Sequence, residues 1–152
     1  MQLSDPDRKL LRALQREPDL NASELAAQLV MTAAQVTRRL DRLQEVGVIT
    51  GRHAVINWAQ LGYTVEVSLR ITLDKTNSRA FDDFLEAARK IPEVLEIQTF
   101  LGRVDVRLHL IAKDMAGYQT LYRDRILTLP HIADIEALMQ VASIQDEGAL
   151  PI

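Results

Sequence analysis

Gln35, Arg38 and Arg42 stand three and four residues apart in a stretch without proline or glycine. At this spacing their side chains lie on one face of an α-helix. A guanidinium group donates two parallel hydrogen bonds to a guanine edge or to phosphate oxygens, and an amide group pairs with an adenine edge. The pattern therefore predicts a helix whose exposed face contacts double-stranded DNA.

The helix that carries these side chains has a start signal and a stop signal. Thr32 and Gln35 form a T-x-x-Q capping box, and Gly47 suits a left-handed C-terminal cap. The capped end also leaves backbone N–H groups for a phosphate. The opposite face is predicted to be buried because it is apolar, at Val36, Leu40 and Leu43.

Two shorter helices are predicted before this one. Asp5 can cap the first, which Pro18 ends. Asn21 and Glu24 form a capping box for the second, and a short turn without glycine follows it. The first helix is predicted to cover about residues 5–16 and the second about residues 22–29. The resulting helix-turn-helix motif covers about residues 22–41.

Further cations flank the polar face. Arg39 lies at the edge of the apolar stripe, and Arg52 follows within residues 48–56, which predict either a small wing or an extended linker. For the arginines alone, a solvated helix face is the favoured interpretation. The three-helix spacing and the short turn without glycine favour DNA binding instead. The candidate DNA-contacting residues are Thr32, Gln35, Arg38, Arg39, Arg42 and Arg52.

From Tyr63 onward, apolar residues alternate with polar ones, which predicts strands. Two helical segments interrupt them, one opening near residue 77 and one at Asp114. The order βαββαβ is typical of the ferredoxin-like fold, an antiparallel sheet with both helices on one face. The fold class is therefore α+β, a (winged) helix-turn-helix followed by a ferredoxin-like domain with strands in about residues 65–73, 94–101, 104–111 and 132–144.

The face of this sheet that the helices leave open is predicted to be polar. Its mixed charges suit solvent or a second copy of the sheet, and a homodimer would bring two helix-turn-helix motifs to two DNA half-sites. With Asn57–Gly62 as the linker, residues 1–62 form the DNA-binding domain and residues 63–152 the effector-binding and dimerisation domain. The open face would carry Glu66, Ser68, Arg70, Asp105, Arg107 and His109.

Composition excludes several classes of function. The 152 residues contain no cysteine, which excludes disulfides and thiolate sites. No apolar run reaches the ~18 residues that span a bilayer, and the N-terminus lacks a signal-peptide core, so we expect a cytoplasmic, nucleoid-associated protein without a membrane partner. The net charge of −3 leaves phosphate binding to a local basic patch.

Four stretches carry a family resemblance, DRKLLRALQREPDLNASELAAQL, TAAQVTRRLDRLQEVGVITGRHAVINWAQLG, LGRVDVRL and LTLPHIADIEALM. They are similar to the Lrp/AsnC (feast/famine) family of transcription regulators over nearly the whole length. The resemblance implies a RAM-type effector domain, sequence-specific DNA binding by homodimers that assemble into higher oligomers such as octamers, and modulation by a small molecule, usually an amino acid. Arg39 and Arg42 match the family's basic helix positions.

The resemblance also implies an effector site in the second half. In the turn between the middle strands the family's glycine and aspartate remain, whereas Arg103 and Val104 replace an acidic and an aromatic residue. Near the end, His131 stands where the family often has glycine, and an alanine replaces a hydroxyl residue of the last strand. The implied effector-binding residues are Gly102, Arg103, Asp105 and Ala137.

Other functions were weighed against this one. The three histidines lie in different segments without metal-ligand spacing, and no nucleophile or phosphate-loop motif is present, so we expect neither an enzyme nor a cofactor. Siroheme decarboxylases share the architecture, but no histidine and arginine cluster for a tetrapyrrole is visible. An architectural DNA-binding protein without effector control and a metabolite-sensing module whose helix-turn-helix only packs are the remaining alternatives.

Overall fold

The computed structural model describes residues 2–144 and 148–152. They form two compact units, Met1–Val55 with Ile144–Ile152, and Ile56–Ser143. The chain therefore leaves the first unit after Val55 and re-enters it at Ile144. The division of function at residue 62 stays a prediction.

Three helices build the first unit, and each begins with a capping box. The boxes predicted at Asn21 and Thr32 are confirmed. At the first helix, Ser4 is the cap and the expectation of Asp5 was wrong, because the Ser4 hydroxyl accepts from the Asp7 N–H while the Asp7 carboxylate accepts from Ser4. The helices are α1 Asp5–Arg16, α2 Ala22–Leu29 and α3 Ala33–Glu45.

The core of the first unit is the predicted apolar stripe. Leu10, Leu25, Val36 and Leu43 are completely buried, and Leu40 packs against them. Burying such side chains stabilises a fold by roughly 1.5–3 kcal/mol each. The cluster therefore fixes which face of α3 remains outside.

The segment 148–152 also packs on the first unit. Ile152 contacts its core cluster, the Leu150 N–H donates to Gln15, and the Arg12 guanidinium donates to the backbone oxygen of Ile152. Leu150 and Ile152 line an apolar groove of this unit, together with residues of α1, with Pro18 and with residues between 48 and 55. The first unit is thus built from two separate parts of the sequence.

Two turns of this unit have left-handed backbone. Gly47 has φ 73°, which confirms the predicted stop of α3. Val30 ends α2 with φ 55° and is 94% exposed. A β-branched residue rarely adopts this conformation, so the turn between α2 and α3 carries local strain.

Residues 50–57 form neither helix nor strand, so this part of the segment predicted as a wing or an extended linker has no regular secondary structure. The expected linker Asn57–Gly62 is more regular than predicted. It contains the 3-10 helix Trp58–Leu61, which the Asn57 side chain caps and Gly62 ends with φ 87°.

The second unit contains a four-stranded antiparallel sheet in which the second, third, first and fourth strands of the chain lie side by side in that order. This confirms the predicted βαββαβ arrangement. The second strand ends at Thr99 rather than Leu101, and a π-helical turn, Tyr122–Ile126, continues the last helix. The elements are β1 Val65–Leu73, α4 Ala80–Ala88, β2 Val94–Thr99, β3 Val106–Ala112, α5 Met115–Leu121 and β4 Ile132–Met139.

Strand register separates the two faces of the sheet. Leu69 pairs with Leu108 and Ile71 with Val106, and all four are completely buried in the cluster that includes Phe84 of α4. Ser68 pairs with His109, and Arg70 with Arg107, on the other face. The helices therefore cover one face only, as predicted.

The open face carries alternating charges, and salt bridges flank its two central arginines. Arg70 lies 3.8 Å from Glu136 of β4, and Arg107 lies 3.0 Å from Glu96 of β2. His109 bonds Glu66 at 2.6 Å, and the Trp58 ring packs edge-on against its imidazole. The face is therefore polar and of both signs, with one aromatic side chain lying on it.

Candidate DNA-binding interface

The N-terminal end of α3 is held by its own side chains. The Thr32 N–H donates to the Gln35 side-chain oxygen at 3.0 Å, and the Gln35 N–H donates to the Thr32 hydroxyl at 3.2 Å. Both residues are exposed. Gln35 therefore uses its amide oxygen in the cap, which leaves the amide NH2 group for a base or phosphate oxygen.

Arg38 is exposed in the middle of α3. Within residues 2–144 and 148–152 it forms no ion pair or hydrogen bond. Its guanidinium borders a shallow concavity on the outer side of the helix, lined also by Arg39, Asp41, Arg42 and Glu45. An unpaired guanidinium on an exposed helix face is the group best placed to bind an anion.

The other two arginines of α3 are paired with one buried carboxylate. Arg39 lies 2.8 Å from Asp7 Oδ1 and Arg42 lies 2.7 Å from Asp7 Oδ2. The Asp7 side chain is completely buried, whereas those of Arg39 and Arg42 are 33% and 50% exposed. Asp7 therefore joins α1 to α3, and it does so through residues predicted to contact DNA.

The ionisation of Asp7 follows from these contacts. Burial acts to raise its pKa, but hydrogen bonds from Ser4 and the two guanidinium groups outweigh burial and lower the pKa from 3.8 to about 2. The carboxylate is consequently charged at neutral pH, and its charge offsets that of the two arginines beside it.

Arg52 lies apart from this cluster, in the extended segment after α3. Its guanidinium donates to the backbone oxygen of Pro18 at 3.5 Å, and the side chain is exposed. The structure thus brings Thr32, Gln35, Arg38, Arg39 and Arg42 together on one helix and places Arg52 on a separate loop.

In the second unit, the expectation that Asp105 lies on the open face was wrong. Its side chain is buried because it turns back on the end of β1, where it accepts the Leu73 N–H at 2.9 Å and pairs with Lys75 at 2.8 Å. Burial acts to raise the pKa of Asp105, but Lys75 and the Leu73 N–H hold it below its usual value. Asp105 therefore supplies a hydrogen-bond acceptor for the Leu73 N–H, at the place where the pairing of β1 with β4 shifts register between Thr72 and Leu73.

Arg103 and its neighbours border a groove on the open face. The Arg103 backbone oxygen accepts from the Thr72 hydroxyl at 3.1 Å. Ala137 pairs with Leu69 on the edge strand, outside the groove, and Gly102 lies in the preceding turn with φ 159°. The groove is lined by positively and negatively charged side chains together with uncharged ones. The lining residues are Arg70, Thr72, Arg103, Val104, Asp134, Ile135 and Glu136.

The comparisons with known proteins cover both halves of the chain. Residues 66–150 match the model of the Lrp/AsnC ligand binding domain, and residues 3–50 match a winged helix-turn-helix DNA-binding model. The chain belongs to the Lrp/AsnC family. It is accordingly a DNA-binding transcriptional regulator whose second half is a small-molecule-binding domain.

Relatives of this Lrp/AsnC protein are themselves transcriptional regulators. The proline dehydrogenase transcriptional activator of Rhodobacter capsulatus is 27% identical over 94% of this chain and 93% of its own length. The DNA-binding transcriptional activator DecR of Escherichia coli is 26% identical over 96% of each chain.

Solved structures share the fold of this Lrp/AsnC chain. An AsnC family regulator from Agrobacterium tumefaciens aligns with a TM-score of 0.87 at 28% identity, over 98% of this chain and 97% of its own. A transcriptional regulator from Neisseria meningitidis, solved as an L-Met complex, aligns with a TM-score of 0.90 at 24% identity, over 99% and 97% of the two chains.

Two general properties of this Lrp/AsnC protein concern membranes and metals. No helix in the described ranges 2–144 and 148–152 is long and apolar enough to cross a membrane. The same ranges contain no group of three or more His, Asp and Glu side chains able to hold a metal ion.

Sequence reasoning missed Asp7 as a partner of α3. An acidic residue in the first turn of a helix is ordinarily explained by its favourable interaction with the helix dipole, which gives no reason to expect a contact with another helix. The signal that could have found it is its spacing from Leu10, Leu11 and Leu14, which places a carboxylate on the buried side of α1.

Proposed function

We propose that this regulator contacts DNA mainly through Arg38, with the capped N-terminus of α3 directed at a phosphate. The observation that carries the proposal is the contrast within α3. Arg38 is exposed and has no partner in the described ranges, whereas the carboxylate of Asp7 holds both Arg39 and Arg42. Thr32 and Gln35 order the helix end, and Arg52 supplies a phosphate contact from the following loop.

We further propose an amino acid as the small molecule. An α-amino acid presents a carboxylate and an ammonium group, and the groove that Arg103 borders offers guanidinium groups together with the carboxylates of Asp134 and Glu136. The relative crystallised with L-Met supports this class of ligand. Because Asp105 is already paired, Arg103 is the residue of the predicted set that meets the ligand directly, while Gly102, Asp105 and Ala137 shape the surroundings.

We propose that the active species is a homodimer, assembling further into oligomers. The alternating charges of the open sheet face support it, since the face can pair with its own copy related by a two-fold axis. The protein then acts as a regulator rather than an enzyme, in the cytoplasm and on nucleoid DNA.

In the first step of the test, purified full-length protein selects the genomic fragments that it binds, once with and once without pooled amino acids. Fluorescence anisotropy then compares Arg38→Ala with Arg16→Ala, an exposed arginine at the end of α1. Losing a bidentate base contact costs about 1–3 kcal/mol of binding free energy, and losing a phosphate contact lowers the salt slope by about 1. Equal affinities of the two variants for the selected fragments would refute the role of Arg38.

The ligand proposal is tested separately by calorimetric titration of the twenty amino acids. Arg103→Ala should abolish the heat of the amino acid that binds, and Arg89→Ala, an exposed arginine after α4, should retain it. Retention of full affinity by Arg103→Ala would remove Arg103 from the site.

A further inference from the structure

We propose that Asp7 is a positioning residue that limits how many arginines α3 offers to DNA phosphates. The inference rests on the proposed interface and deepens it, because the buried Asp7 side chain acts on that interface through the arginines that it holds. One completely buried carboxylate holds two of the three α3 arginines at 2.7 and 2.8 Å. At neutral pH, Asp7 thereby removes about one positive charge from the DNA-facing helix.

The position of the Asp7 carboxylate is fixed independently of the arginines. It accepts the Ser4 N–H at 3.0 Å and the Ser4 hydroxyl at 2.6 Å within the capping box of α1. The carboxylate therefore cannot follow a guanidinium that moves outward. An arginine of α3 reaches a phosphate only by leaving Asp7.

The two arginines differ in how readily they can leave. Arg39 is the more buried of the two, and it also donates to the Ser4 hydroxyl at 3.4 Å. Arg42 has a half-exposed side chain, and within the described ranges its guanidinium forms a hydrogen bond and an ion pair with Asp7 only. Arg42 is thus the arginine that can exchange between the buried carboxylate and a phosphate, while Arg39 stays and keeps the carboxylate paired.

This exchange favours DNA that fits α3 over DNA that does not. On any duplex, Arg38 and the helix end make sequence-independent contacts. Arg42 leaves Asp7 only where a phosphate is held close enough to compensate the lost ion pair. Random DNA is therefore bound through fewer arginines than α3 carries. As a result, the ratio of the affinity for fitted DNA to the affinity for random DNA rises.

The experiment removes the charge of Asp7 in the full-length chain. Asp7→Asn keeps the size and one of the two acceptor oxygens of the side chain, and it removes the charge that holds both guanidinium groups. Anisotropy titrations with a random-sequence duplex and with a fragment selected by the wild type would run from 50 to 300 mM salt. Each additional phosphate contact adds about 0.9 to the slope of log K against log salt for B-DNA.

We expect Asp7→Asn to steepen the slope of log K against log salt on random DNA by about 1 to 2 and to tighten binding to random DNA at low salt. The ratio of the affinity for the selected fragment to the affinity for random DNA should fall. Adding Arg42→Gln to Asp7→Asn should reverse about half of the change in slope. A residue that only stabilised the fold would weaken both complexes and leave both slopes unchanged, and that result would overturn the proposal.

Asp7→Leu provides the second variant if Asp7→Asn does not fold. Leucine has the same branching as aspartate but no charge and no acceptor, so it frees the same two arginines, and circular dichroism checks the fold. Arg38→Gln separates this proposal from the interface on which it rests. Unchanged affinity together with an unchanged slope in Arg38→Gln would refute the interface. A loss of affinity or slope there, with unchanged slopes in both Asp7 variants, would refute the role of Asp7 alone.

Discussion

His131 lies with its Nε2 atom 3.0 Å from the Asp83 carboxylate, which joins the turn before β4 to helix α4. The backbone of His131 is left-handed, with φ 64°. Glycine is the residue that adopts this conformation without steric cost. In this chain, the side-chain contact with Asp83 compensates a backbone conformation that costs about 1–2 kcal/mol for most L-residues.

We expect His131→Ala to be more destabilising than His131→Gly by about 1 kcal/mol. Both variants lose the contact with Asp83, but only glycine also loses the backbone strain. Urea unfolding followed by circular dichroism gives the two free energies of unfolding. If alanine proved as stable as glycine, φ at residue 131 would not carry the strain that we assign to it.

Val30 offers an independent measure of backbone strain. Its side chain is 94% exposed, so replacement loses almost no packing, while φ 55° is unfavourable for valine. We expect Val30→Asn to raise the free energy of unfolding by about 1 kcal/mol, because asparagine tolerates the left-handed region. Val46→Asn is the matched control, since Val46 is 50% exposed and has φ −87°. An equal gain in both variants would point to hydrophobicity rather than to strain.

Acid unfolding should depend on Asp7. Its pKa is lowered from 3.8 to about 2 on folding, so its stabilising contribution is present above pH ~4 and is lost as the pH falls through about 2. The difference corresponds to about 2 kcal/mol. Urea midpoints measured between pH 5 and 2 should fall less in Asp7→Asn than in the wild type, with the exposed Asp5→Asn as the control. Parallel curves for the wild type and Asp7→Asn would contradict the lowered pKa.

Asp105→Ala should destabilise the second unit before it affects any ligand. The substitution leaves the buried Leu73 N–H without its acceptor, which costs about 1–3 kcal/mol. Lys75→Ala removes the exposed partner only, and its effect should be smaller. Thermal unfolding of both variants measures the difference. A melting temperature of Asp105→Ala equal to that of the wild type would leave the buried hydrogen bond without a stabilising role.

Local features of this chain were predictable, and long-range contacts were not. Periodicity and capping rules predicted the features that depend on residues only a few positions apart. These features are the capping boxes at Asn21 and Thr32, the end of α3 near Gly47 and the two faces of β1. The contacts of Asp7 span 32 and 35 residues, and those of Asp105 depend on a local irregularity where β1 pairs with β4. Neither arrangement has a signature in local sequence, because each requires the tertiary packing to be known.

The return of the chain at Ile144 makes residues 56–143 an insertion within the helix-turn-helix unit. Any fragment that ends near Val55 consequently lacks Leu150 and Ile152, which line the apolar groove beside α1, and it loses the packing of Ile152 on the core cluster. A DNA-binding fragment that keeps the whole first unit therefore cannot be made by truncation alone. It has to join residues 148–152 to the first 55 residues through a flexible linker.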